Sequence, residues 1–435
     1  MQQLQRIYGT AWHNKEELNK FLYKIEEAEK RDHRKLGKKL ELFHLDDSAP
    51  GMPYWLPKGL KVINTLIDFW RDEHEKRGYQ EISAPLINNK KLWETSGHWA
   101  HYKDDMFIVP VDENNIFGVK PMNCPNAMIV YSLKNRSYRE LPLRFSDCDV
   151  LHRNERSGTL HGLLRVQMFR QDDSHNFISE DQIGSEINQI LDIADLFYSI
   201  FGLKYIPRLS TRPEDFMGEI ESWNKAETAL KNVLEERFGS ENYLVLEGDG
   251  AFYGPKIDIL MEDVLEREWQ MGTIQLDFQL PGRFNLSYTD RDGESKVPIV
   301  IHRVIYGSLE RFMGILIEHF AGAFPLWISP VQVVVIPITD SHVPYAKSIA
   351  EKLLSQRIRV EVDSRNERMN SKIRDNQLLK TPYMLIVGDK EEAENTISIR
   401  TRGGQNLGNI KVERFISSCI EQVAKRTLDL SDDFE

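Results

Sequence analysis

The segment VLHRNERSGTLHGLLRVQMFRQDDSHNFI, residues 150–178, constrains the fold more than any other. It has the pattern of two strands joined by a polar, glycine-containing loop. Arg153 and Glu155 stand at i, i+2, one face of a strand, and Arg165, Phe169, Gln171, Asp173 and His175 follow at largely odd spacing. A sheet face with two arginines, two acids, an amide and a histidine makes a poor core and a good polar site. A solvent-exposed amphipathic hairpin is the plainer alternative. Guanidinium forks suit carboxylate or phosphate oxygens. Glu155 can accept from an exocyclic amine and Phe169 can stack on a flat ring, so the set describes a nucleotide site. It is not a P-loop or dinucleotide site, because no GxxxxGK[ST] occurs and no GxGxxG opens a helix.

Residues 13–45 carry apolar side chains at helical spacing, which predicts one helix ended by the DDSAPGMP turn at 46–53. Further helices are expected from about Lys61 to Arg77, over 181–200 and in SLERFMGILIEHFAGAF. Strand-like pieces lie between them: YQEISAP, DMFIVPV, IFGVKP, LPLRFSD, YLVLEG, KIDILMED and EREWQMGTIQLDF. After Trp327-Ile328-Ser329-Pro330 the order changes. Strands VQVVVIPI, IRVEVD, PYMLIVGD and TISIRTR alternate with helices, which predicts a compact α/β domain beginning near residue 329.

The chain has 435 residues with 41% hydrophobic and 28% charged, ample for two or three ordinary globular domains. No apolar run approaches a membrane span, and MQQLQRIYGTAWHN lacks the apolar core of a signal peptide. Three scattered cysteines, Cys124, Cys148 and Cys419, make no disulfide framework, so a cytoplasmic location is expected. Cys124 lies in VKPMNCPNAM, between prolines and an amide in what reads as a loop, an odd setting for a structural cysteine. The net charge of −11 does not exclude a nucleic-acid partner, because binding needs only a local basic patch. KRDHRKLGKK and RNERMNSKIRDNQLLK (365–380) are such patches, although a solvated helix face accounts for either one alone.

These residues carry a resemblance. LHRNERSG…LLRVQMFRQDD is similar to motif 2 of class II aminoacyl-tRNA synthetases. PKGLKVINTLIDFWRDEHEKRGYQEISAP (57–85) resembles motif 1, ending at Pro85, and IYGSLERF (305–312) resembles motif 3, with Arg311 at the start of a helix. Within the class, TSGHWAHYKDDMF, KPMNCP, FRQDDSH and GAFYGPKID resemble the threonyl-tRNA synthetase family, and the likeness runs over essentially the whole chain. The resemblance implies an α+β class II catalytic domain at 46–328, an antiparallel sheet flanked by helices. A linker helix at 1–45 would precede it, and a smaller α/β anticodon-binding domain at 329–435 would follow.

The implied activity is ATP-dependent ligation of threonine to tRNA(Thr), by a homodimer built on motif 1, with no membrane partner. Cys124, His175 and His302 match the family's zinc ligands, whose zinc selects threonine over valine; magnesium accompanies ATP. A hydrolytic zinc site lacks support, since HEKRG fails the HExxH pattern at Gly78. By resemblance Arg153 contacts the α-phosphate and the threonine carboxylate, Glu155 reads the adenine amine, Arg165 holds the γ-phosphate, and Phe169 and Arg311 sandwich the ring. Gln270 faces the nucleotide. Gln171, Asp173, Tyr253, Gln275 and Ser308 match the amino-acid pocket, and His98 and Lys256 match positions close to the chemistry. Asn366, Arg368, Glu391 and Arg400 match anticodon-contact positions. A synthetase for proline, serine or glycine is the nearest rival, disfavoured by the zinc trio, and a silent tRNA-binding paralogue is the rival of another class.

Met271, after Trp269-Gln270, departs from the family pattern. Residues 1–45 also contain nothing that could form the family's editing site, so a short form is expected. Such a chain should make Ser-tRNA(Thr), because a missing methyl is worth only roughly 1–3 kcal/mol of discrimination. Incubation of purified Ser-tRNA(Thr) with the chain should show no enzyme-dependent deacylation.

Overall fold

An eight-stranded sheet forms the floor of the larger domain. From edge to edge its strands are Leu244–Leu246, Tyr205–Ser210, Lys256–Glu262, Glu268–Asp277, Ile299–Val304, Asp173–Ile178, Leu143–Asp147 and Gln80–Glu81. Neighbours are antiparallel except at the two edges, where Leu244–Leu246 and Gln80–Glu81 each run parallel to the adjacent strand. The structure is a computed structural model and describes residues 9–263 and 266–432. Residues 1–8 of the expected linker and 433–435 of the expected C-terminal domain lie outside the described residues.

Side-chain alternation divides the sheet into two unlike faces. Ile257, Ile259, Met261, Ile274, Leu276, Ile299 and Ile301 belong to the main hydrophobic core. Helices Pro57–Glu75, Ile183–Ser199 and Leu309–His319 contribute their apolar residues to the same core. Pro57 sits in the first turn, where its missing N–H leaves no bond unmade, and Val62, Ile63, Leu66, Ile67 and Trp70 follow as a buried stripe at helical period. The residues between the core positions, among them Asp173, His175, Gln275 and His302, line a cleft instead.

The 150–178 segment departs from the single hairpin that its sequence suggests. Val150–His152 and Met168–Arg170 pair as a separate two-stranded ribbon. The chain then steps at Gln171-Asp172, and Asp173–Ile178 enters the large sheet between Leu143–Asp147 and Ile299–Val304. The step is held by the buried Asp172 carboxylate, which accepts from the N–H groups of Ile305 at 3.0 Å and Gly307 at 3.0 Å. Arg153 and Glu155 therefore lie in the loop beyond the first strand rather than on a strand face.

Three other expectations are revised. The N-terminal segment is two helices, Lys15–Arg31 and His33–Lys39, followed by a short strand at Phe43–His44. The break is Asp32, whose side chain leaves the helix to cap the second one through Arg34 N–H. Cys124 is not in a loop but opens the helix Cys124–Ser132, with Pro125 in its first turn. Helix Ile220–Phe238 and strand Asn406–Lys411 were not foreseen, the former because its buried residues are spread among many charges.

The C-terminal sheet runs Val360–Val362, Val333–Pro337, Tyr383–Val387, Thr396–Thr401, Asn406–Lys411, the first three parallel and the last two antiparallel. Val343–Ser355 and Val412–Lys425 pack on one face and Met369–Leu378 on the other. Leu326 belongs to this second core, whereas Trp327 and Ile328 belong to the first. Arg359 ties the junction by donating to Ser329 O at 2.8 Å and Trp327 O at 2.7 Å, and the Arg426 guanidinium lies 4.4 Å from the centre of the Phe69 ring. Among the described residues, no helix is long and apolar enough to cross a membrane.

Candidate active site

Cys124, His175 and His302 come from three separate elements, and their ligand atoms lie within 4.8 Å of one another, all buried. The sheet register sets the two histidines directly opposite each other on adjacent strands, with rings 4.9 Å apart at 83°. His302 Nε2 is 2.8 Å from Asp277 Oδ2, so with Nε2–H donating, Nδ1 keeps its lone pair. Nδ1 of His175 is buried with no hydrogen-bond partner. Burial pushes the Cys124 thiol well up and the His175 imidazole well down. A cation among these donors reverses both effects, since it favours thiolate and neutral imidazole. One thiol, two imidazoles and a carboxylate behind one of them form a group fit to hold a metal ion.

The trio is part of the wall of a cleft with about 340 Å³ of internal space, together with Arg153, Gln171, Asp173, Tyr253, Gln270 and Gln275. Tyr253 donates its hydroxyl to Gln275 Oε1. Asp173 accepts from Asn123 Nδ2 at 3.1 Å, and burial raises its carboxyl. Ser308 is not on this wall; its hydroxyl caps the helix Leu309–His319 by accepting from Arg311 N–H at 3.2 Å.

The remaining candidates lie around the mouth and walls. Arg165 and Glu155 are ion-paired at 2.9 Å. The Arg153 guanidinium lies 5.0 Å from the centre of the Phe169 ring. Arg311 donates from Nε to Leu164 O at 2.9 Å and from Nη1 to Gln270 O at 3.3 Å. Lys256 Nζ is shared between Asp249 at 3.1 Å and the buried Asp258 at 3.2 Å. His98 is fully buried, with Nδ1 2.8 Å from Ser96 Oγ and Nε2 3.1 Å from Met122 Sδ and 3.8 Å from Cys124 Sγ; burial pushes it down to about 3. In the C-terminal domain, Asn366 and Arg368 are exposed ahead of Met369–Leu378, Glu391 accepts from Gly388 N–H at 3.1 Å, and Arg400 pairs opposite Met384. No hydrogen bond or ion pair joins those four among the described residues.

The family profile of the "tRNA synthetase class II core domain (G, H, P, S and T)" matches residues 106–320, and that of the "Anticodon binding domain" matches 332–422. A crystal structure described as the RNA binding domain of threonyl-tRNA synthetase from Cryptosporidium parvum aligns with a TM-score of 0.86 at 41% identity, over 92% of this chain and 100% of that one. The chain belongs to the threonyl-tRNA synthetase family. The threonine–tRNA ligase of Desulforamulus reducens is 52% identical over 98% of this chain, and that of Acetivibrio thermocellus 50% over 97%. The chain spans 66% of the length of each of these curated relatives.

Several residues of this threonyl-tRNA synthetase family member escape a reading of its sequence. Asp172 falls out of the alternating face, so its spacing points to no role, yet it holds the turn before Arg311. Glu310 completes that stitch by accepting from Arg170 N–H at 2.8 Å. Asp258, wholly buried, gathers Lys256, Gln270 Nε2 at 2.6 Å, Arg208 at 3.1 Å and Ser210 at 2.8 Å. Met271 sits in a break of the strand register. Gln270 pairs with Leu260 and Thr273 with Asp258, so Met271-Gly272 stand against Ile259 alone, a bulge. The bulge lets Gln270 and Thr273, three apart, both line the cleft while the Met271 side chain enters the core.

The loop before Cys124 is anchored by an ion pair. Lys120, almost fully buried, donates to Asp149 Oδ2 at 2.5 Å, and the same carboxylate accepts from Ala84 N–H at 2.8 Å and Ser83 Oγ at 2.9 Å. Burial opposes the Asp149 charge, but Lys120 and these donors hold the carboxyl below its ordinary value. A folded value below the unfolded one stabilises fully above the ordinary carboxylate range and is lost as pH falls through it. Asp149→Asn should therefore destabilise by about 3 kcal/mol at pH 7, with the difference from wild type shrinking below about pH 4. Urea unfolding of both chains across that pH range measures it.

Proposed function

We propose that the chain ligates L-threonine to tRNA(Thr) through a threonyl-adenylate, using ATP with magnesium. One observation carries this reading: the buried Cys124, His175 and His302 group opens on the same cleft as Arg153, Gln171, Asp173, Tyr253 and Gln275. In this reading the trio would hold zinc. Zinc held there would supply a Lewis-acid position suited to an amino group and a hydroxyl, which would favour threonine over valine.

The chain's own residues then divide the work. Asp173 accepts from the threonine hydroxyl, Gln171 and Gln275 line the pocket, and Tyr253 is held against Gln275. Arg153 brings the threonine carboxylate to the α-phosphate. A carboxylate is already a nucleophile, so activation needs no general base, and catalysis is positioning and charge neutralisation. Glu155 reads the adenine amine, Phe169 and Arg311 flank the ring, Arg165 takes the γ-phosphate, and Gln270 and Lys256 border the nucleotide. Arg165 is paired with Glu155, and Arg153 faces the Phe169 ring.

For transfer to the tRNA, His98 is the base implied by resemblance, while its burial against Met122 and Cys124 favours a role in shaping the wall. Asn366, Arg368, Glu391 and Arg400 are assigned to the anticodon. Two chains associate through the segment ending at Pro85, beside which Leu86 and Ile87 are exposed.

Threonine should drive strong ATP–pyrophosphate exchange, serine some and valine and proline almost none, with activity lost on zinc chelation. Absence of exchange from folded, zinc-loaded protein would make a silent tRNA-binding protein the better reading. Separately, Asp277→Asn removes the charge behind His302 and should weaken zinc binding roughly 10–100-fold in a chelator competition assay.

A further inference from the structure

His33 lies in the N-terminal helical segment, yet its side chain is fully buried. Its Nδ1 is 2.7 Å from Glu318 Oε1, which also accepts from the His33 backbone N–H at 3.1 Å. Its Nε2 is 3.0 Å from the backbone nitrogen of Leu163. A backbone N–H only donates, so Nε2 presents its lone pair to Leu163 and Nδ1 carries the proton to Glu318. Both ring nitrogens are thus committed.

The two partners are in different motifs. Glu318 sits near the end of Leu309–His319, the helix whose first turn holds Arg311. Leu163 is inside a tight turn, in which Leu164 N–H donates to His161 O at 2.9 Å and His161 N–H to Arg165 O at 3.1 Å. Leu164 O in turn accepts from Arg311 Nε. The turn comes this near the imidazole because residue 162 is glycine: at φ +54 it is already left-handed, and a Cβ there would stand 2.1 Å from His33 Nε2. One imidazole therefore joins the turn ending at Arg165 to the helix beginning near Arg311. The helix Lys15–Arg31 leads straight to it and is anchored beside it, with Arg31 Nη1 donating to His319 O at 3.0 Å.

We propose that His33 is a positioning residue of the nucleotide site: through Nε2 it holds the Leu163 turn, and thereby Arg165 and the Leu164 carbonyl that orients Arg311. This rests on the assignment of Arg165 and Arg311 to ATP made above. A clamp that merely stabilised the fold would depend on both imidazole bonds alike. A positioning role depends on the Nε2 bond and is felt by ATP rather than by threonine.

Glutamine and asparagine separate the two. In His33→Gln the side-chain amide reaches the Nε2 position and can accept from Leu163; in His33→Asn it reaches only the Nδ1 position. The zinc-loaded full chain and the variants Gln, Asn and Ala are titrated with Mg–ATP alone and with threonine alone in a calorimeter. His33→Gln should bind ATP within about threefold of wild type, while His33→Asn and His33→Ala should each lose about tenfold, the loss expected for one buried hydrogen bond. Threonine affinity should stay within about twofold in all of them. Equal loss of ATP affinity in Gln and Asn, a parallel fall for ATP and threonine, or a wild-type chain that binds no ATP would each overturn the proposal. The expected ATP pattern without threonine-dependent exchange would support the role of His33 and remove the ligase reading.

Discussion

The strand Asp173–Ile178 is hydrogen-bonded along both sides, to Leu143–Asp147 and to Ile299–Val304, and every residue in it is buried. Its register sets His175 opposite His302, and His302 opposite Gln275 on the next strand. A slip of this strand by one residue would turn His175 to the opposite face and put Ser174 or Asn176 in its place in the cleft. The register is fixed at one end by Asp172, which accepts from Ile305 and Gly307 and so locks two strands and the following turn together. Geometry at the cleft is thus inherited from backbone pairing, which is stiffer than any loop.

Around that rigid floor the charged groups are held in balance. Asp258 gathers Lys256, Arg208 and an amide, Arg165 faces Glu155, and Lys120 is matched to Asp149. The exceptions are informative. Asp147 and Asp173 stand opposite each other on adjacent strands, and burial raises both carboxyls. Cys124 and the unpartnered His175 Nδ1 adjoin them. The part of the cleft with the least internal compensation is therefore the part assigned to the metal.

How much of this is legible in the sequence follows from how local each cause is. The long helices are local, and Val62, Ile63, Leu66, Ile67 and Trp70 announce theirs by spacing. Asp173 and His175 do share a strand face, as their i, i+2 spacing suggests. Alternation fails across Gln171-Asp172, because the chain changes sheet there under the pull of backbone groups more than a hundred residues away. The bulge at Met271-Gly272 is equally invisible, since a two-residue period has no means of recording an extra residue. Cys124 reads as loop because prolines flank it, although proline is at home in a first helical turn. Asp32 ends one helix and starts another, and the buried His33–Glu318 contact beside it is made with a residue far along the chain.

Leu326 is packed in one core and Trp327 in the other, so no spare chain separates the two domains. Arg359 and Arg426 fasten them further from the C-terminal side. The separation between the cleft and the outer face of the C-terminal sheet is therefore a built-in ruler rather than an adjustable reach. A ligand that touches both ends meets a spacing with no linker residues to lengthen it, so its length and bend count as well as its chemistry.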